Sequence, residues 1–176
     1  MKVDVKMQNE NLKKIAKQLK RYPFIAEHRG GPLTKENHRK LIKWAKECSE
    51  HVLFLIDKEI DKRLLYALEV AEKWENDSVS TGVAMKASLG AHAVAKQVEN
   101  PIYKAVARSI GQTVATAHMA DHSLGGAFYA LKALKLAKKD IENERDWQIK
   151  KLGELPSAII EIVRTMWVKK ELDKKI

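Results

Sequence analysis

The sequence predicts an all-α fold: a single-domain bundle of seven or eight helices around a central alanine-rich antiparallel hairpin. Two observations carry this expectation. No stretch sustains the period-two alternation of β-branched residues that a half-buried strand needs, and the four prolines fall where helices would begin or break. A chain of 176 residues is long enough for one proper core and short for two, so one domain is expected.

The elements follow in order. "NENLKKIAKQLKRYP" reads as a basic helix whose Leu12, Ile15, Ala16 and Leu19 form an apolar stripe. It belongs to a basic helical extension over residues 1–30, ahead of a core domain over 31–176. "AEHRGGPLT" is a turn, after which Thr34 caps a helix running to about Asp57 with Leu41, Ala45, Cys48, Val52 and Leu55 inward. A helix from about Lys62 to Trp74 uses Leu64, Leu65, Leu68 and Ala71, and "NDS" stops it. Between Val79 and Leu131 small residues dominate. Ala84, Ala87, Ala91 and Ala95 lie on one helix and Ala107, Gly111 and Ala115 on the next, separated by Asn100-Pro101. Such spacing lets two backbones approach closely and defines the expected hairpin. A break near Asp121 to Gly126 divides what would otherwise be one overlong helix. The charged helix "KKDIENERDWQIKKLGE" follows, and Pro156 opens the last one, with Ile159, Ile160, Val163 and Met166 inward.

The formal charge of +10 is unevenly placed. Residues 1–43 hold 12 lysines and arginines against 4 acids, and residues 44–176 hold 21 against 19. A nucleic-acid-binding module acting through this basic arm is therefore one alternative. It is disfavoured, because the 26 lysines against 7 arginines supply few planar guanidinium forks and no aromatics interleave with the basic residues. The N-terminus lacks the apolar core of a signal peptide and no apolar run approaches a membrane span, so a cytoplasmic protein that does not enter membranes is expected. The single cysteine, Cys48, forbids an internal disulfide and suits a reducing compartment.

Reactive groupings are few. In "TAHMADHS", His118 and His122 have the spacing that puts two imidazoles on one helical side, and Asp121 lies between them. The H-x-x-D-H order approximates the inverted zinc-peptidase motif H-x-x-E-H, with aspartate in place of the glutamate base. This yields the main enzymatic alternative, a metal-dependent, hydrolase-like enzyme with a divalent ion such as zinc on His118, Asp121 and His122. The preferred reading has no cofactor: the histidines bond backbone or carboxylate at a helix break, and Asp121 caps the helix that follows. His92 does not complete a metal shell, because folding about Asn100 sets it opposite Arg108 and about 15 Å from His118. Cys48 and His51 have the spacing of a thiol and its base, but Cys48 lies on the inward stripe, which favours an inert buried thiol. Trp44, Trp74 and Trp147 sit near helix ends or amphipathic edges, where core packing competes with a binding face and with a homodimer contact.

Taken together, "RKLIKWAKECSEHVL", "LLYALEVAEKW", "ASLGAHAVAKQV", "ARSIGQTVATAHMADHSLGGAFYALKA" and "ERDWQ" resemble a bacterial family described as putative immunity proteins, over about residues 36–152. The most specific piece is A-T-A-H-M-A-D-H. The resemblance implies a small, all-helical cytoplasmic protein that binds and neutralises a protein toxin without catalysis. The matching positions are Trp44, Cys48, Trp74, His92, Arg108, His118, Asp121, His122 and Trp147.

Overall fold

The structure, a computed structural model, describes residues 13, 14 and 21–176. The expected N-terminal helix with its Leu12, Ile15, Ala16 and Leu19 stripe lies outside the described residues. Within them the chain is an all-α bundle of seven helices: α1 (Lys35–Glu50), α2 (Lys62–Glu75), α3 (Thr81–Gln97), α4 (Pro101–Ala115), α5 (His122–Leu136), α6 (Ile141–Gly153) and α7 (Ser157–Lys169). Short 3₁₀ turns stand at Tyr22–Phe24, Glu27–Arg29, Leu53–Leu55 and Leu172–Lys175.

The start signals act as their chemistry requires. Thr34 Oγ1 accepts the Asn37 amide at 3.2 Å, Ser80 Oγ accepts that of Val83 at 3.3 Å, and Asn100 Oδ1 accepts those of Ile102 and Tyr103 at 2.8 and 3.0 Å. Asp61 and Asp140 do the same for α2 and α6. α1 ends at Glu50, short of the expected Asp57. A 3₁₀ turn there buries both Val52 and Ile56 while Phe54 stays exposed, which a continued helix would not achieve.

The expected centre of the fold needs correction. Among the described residues there is no β-strand, only one isolated bridge between Ala26 and Leu33, and no hairpin forms the hub. The hub is the single helix α4, which packs against α1, α2, α3 and α5. α3 packs chiefly on α2 and α4 and leaves Met85 and Leu89 exposed, so it is an outer layer. The inner role of α4 follows from its surface: Ala105, Val106, Ala107, Ser109, Ile110, Gly111, Thr113 and Val114 are all buried, which is burial on nearly every side.

One apolar cluster gathers around α2, α3 and α4, including Leu64, Ala91, Ile110 and Val114. A second includes Phe24, Leu33, Leu41, Trp44 and Cys48 with Leu124, Leu152, Ile159 and Met166. A buried hydroxyl chain ties the helices across the hub. Ser49 Oγ lies 2.7 Å from both Ser109 Oγ and Thr113 Oγ1, while Ser109 donates to the Gly126 carbonyl at 2.7 Å and Thr113 to that of Ala45 at 3.0 Å. Gly126 has to lack a side chain here, because a Cβ would stand 2.6 Å from Thr113 Oγ1. Each of these hydroxyls exchanges water for a protein partner, so the chain fixes the register of α1, α4 and α5 without leaving a buried polar group orphaned.

Candidate functional site

The "TAHMADHS" stretch forms the junction between α4 and α5. The helix breaks at Thr116, earlier than the expected Asp121 to Gly126. His38, buried on α1, places its Nε2 2.5 Å from the Thr116 carbonyl, so that oxygen leaves the helical ladder. Thr116 Oγ1 bonds back to the Gln112 carbonyl at 3.2 Å. The His38 ring packs edge-on against Trp74 at 4.9 Å. Burial pushes its pKa below the ordinary 6.5, and the bond to Thr116 opposes that shift.

The break separates the residues that the H-x-x-D-H spacing would unite on one helical side. His118 and Asp121 both lie within the non-helical break and His122 begins α5. His118 lines a cavity of about 300 Å³ with Arg21, Phe24, Arg29 and His38. Its pKa is lowered by burial and then by Arg29 and Arg21. His122 turns to α4, with Nδ1 2.7 Å from Gln112 Oε1. Burial lowers its pKa against the opposing pull of Asp121.

Asp121 does not cap α5. Its backbone is helical (φ −67, ψ −14) and its side chain makes no cap bond, so the amide hydrogens are out of its reach. The carboxylate, 7% exposed, instead places Oδ2 3.3 Å from both Arg21 Nε and Lys170 Nζ. It joins the segment before α1 to the end of α7.

His122 thus bonds Gln112 and Asp121 pairs with Arg21 and Lys170, while His118 makes no side-chain hydrogen bond among the described residues. Among the described residues no three His, Cys, Asp or Glu side chains are grouped so as to hold a metal ion. The reading of these three as a zinc shell loses its geometry for a physical reason: the helical turn that would have aligned the imidazoles is unwound.

The structure does bring His92, Arg108 and His122 into one half-buried neighbourhood. The His92 ring packs on Gly111, three residues beyond the expected Arg108, and the adjacent Gln112 holds His122. Burial lowers the pKa of His92, and Arg108 and His122 add to it. Gly125 makes room for the Gln112 side chain, since a Cβ there would stand 2.6 Å from Oε1.

The tryptophans are tied down by their ring nitrogens or faces. Trp44 is buried and donates to the Gln148 carbonyl at 3.1 Å; Trp74 donates to Thr81 Oγ1 at 3.1 Å. Trp147 stacks on His51 with ring centroids 3.8 Å apart. His51 gives Nδ1 to Glu144 Oε2 at 2.6 Å, and Cys48 is fully buried, which raises its thiol pKa well above the ordinary value. The pair is therefore no thiolate and base.

Sequence reasoning missed His38, Gln112, Glu144, Gln148 and the Ser49–Ser109–Thr113 hydroxyls. Only the last left a signal, two hydroxyls four residues apart on the small-residue stripe of α4.

Among the described residues no helix is long and apolar enough to cross a membrane. A protein-family model described as Imm-5 like putative immunity protein matches residues 31–155. No curated protein and no solved structure gives a significant match.

Proposed function

This chain belongs to the family described as Imm-5 like putative immunity proteins, and from that premise we propose that it binds and neutralises a protein toxin without catalysing a reaction. The observation that carries the reading is the family match from residue 31 to residue 155, which spans the helical core from the turn before α1 to the end of α6. The geometry of the junction supports it. Asp121 and His122 are engaged in holding segments of the bundle together, and among the described residues no metal-holding cluster forms around them. Such a molecule acts through its surface, by covering or deforming a toxin, and rigid packing of the motif keeps that surface in one shape.

The test is co-expression with the toxins of the genome that encodes the chain. The reading expects one toxin whose lethality is relieved by this chain and which co-elutes with it. Failure to protect against any of them would remove the reading.

A further inference from the structure

The face formed by α6 and α7 carries a groove that no part of the junction uses. Its cavity of about 430 Å³ is lined by Ile149, Leu152, Val163 and Trp167, with Trp44 and Leu131 behind them. Leu152, Val163 and Trp44 are buried, whereas Ile149 is 46% and Val168 73% exposed at the mouth. Aliphatic residues and an indole thus form a floor that water wets poorly, open on one side.

The rim specifies the chemistry of what would cover it. Asp173, from the last 3₁₀ turn, accepts the Trp167 indole N–H at 3.0 Å and lies 3.3 Å from Arg145 Nη2. The chain's own carboxylate is therefore already seated between an indole and a guanidinium at the groove edge. Arg164 stands exposed on the same lining and makes no ion pair among the described residues. An apolar cleft edged by a guanidinium complements a bulky apolar side chain carried next to a carboxylate.

We propose that the groove between α6 and α7 docks an acidic amphipathic segment of the toxin, which seats a bulky apolar side chain against Trp167 and Val163 and a carboxylate on Arg164. The partner's identity as a toxin rests on the function proposed above; the chemistry of the groove does not. A protein segment is favoured over nucleic acid because the floor is mainly aliphatic, its one accessible indole, Trp167, is half-buried with its N–H held by Asp173, and a single indole gives no row of aromatic faces on which successive bases could stack.

The test pans a phage library of random dodecapeptides on the full chain, with Val168→Asp as counter-selection. Arg164 and Val168 are both exposed, so Arg164→Glu and Val168→Asp should keep the wild-type melting curve. The proposal expects enriched peptides that place Phe, Trp, Leu or Ile beside Asp or Glu. A synthetic representative should shift the Trp167 indole N–H resonance and bind each variant at least about tenfold more weakly. No enrichment, enrichment of basic peptides, or equal affinity for the variants would overturn it. So would a wild-type dimer that Val168→Asp dissociates, since the occupant would then be a second copy. Cell protection separates the two readings. If the wild type and both variants protect equally, the docking site is wrong and the immunity reading stands; if the wild type protects against no toxin, the immunity reading fails and the peptide result alone decides the groove.

Discussion

The ring of His92 lies directly over Gly111. A Cβ at that glycine would stand 2.6 Å from the imidazole Cε1 and 2.7 Å from Nδ1, closer than real side chains allow. Gly111→Ala should therefore cost about 1–3 kcal/mol through forced displacement of the ring. Gly90→Ala, on the outer helix α3 with nothing nearer than 4.0 Å, should stabilise by roughly 0.5–1 kcal/mol. Urea denaturation measures both. Adding His92→Ala to Gly111→Ala should restore part of the loss, and equal losses in both backgrounds would refute the contact.

Asp121 holds the segment before α1 and the end of α7 to the junction through Arg21 and Lys170. Asp121→Ala should destabilise by about 1–3 kcal/mol, because both cations are partly exposed and recover water. In a double-mutant cycle with Arg21→Ala the losses should not add. Strict additivity would show that the ion pair contributes nothing.

The buried imidazoles make stability depend on pH. His38, His92 and His122 have folded pKa values below the ordinary 6.5. Their contribution is full above 6.5 and is lost as pH falls from there through the folded values, since the unfolded chain binds the proton first. Glu144 works in the opposite sense: burial raises its pKa above 4.5, so its contribution is present at low pH and lost as pH rises through the folded value. Glu144→Gln should therefore steepen the loss of stability between pH 6.5 and 4.5. Urea titrations at several pH values check this, and a flatter profile in the variant would contradict it.

Much of the helix order was legible from local chemistry: Thr34 accepts the Asn37 amide at the start of α1, Asn100-Pro101 separates α3 from α4, and Pro156 precedes α7, whereas the cap at Ser80 was not read. The hub was not legible. Alanine stripes say that two helices approach closely, but α3 and α4 carry similar stripes, and only the exposure of Met85 and Leu89 shows which helix is outermost. The site was hidden for a related reason. The helix break at Thr116 is set by His38, 78 residues away, and Asp121 is diverted from capping by Lys170, 49 residues away. Spacing along one helix carries no trace of either partner.

Phe24 is 2% exposed within the second apolar cluster. A cut after residue 20 leaves that side chain in place, whereas a cut after residue 30 removes it. The shorter truncation should keep one cooperative transition, and Phe24→Ala should cost about 3–5 kcal/mol. Calorimetry of the two truncations reads the difference. Identical melting would mean that the segment before α1 adds nothing to the core.

The proposed role is the binding of a protein and not chemistry on a metal at His118, Asp121 and His122. Native mass spectrometry of the chain purified with a toxin it protects against tests this most directly. The predicted mass is that of the two chains together, unchanged after chelator treatment. A mass showing one divalent ion on the chain, with chelator abolishing both the ion and the protection, would contradict it.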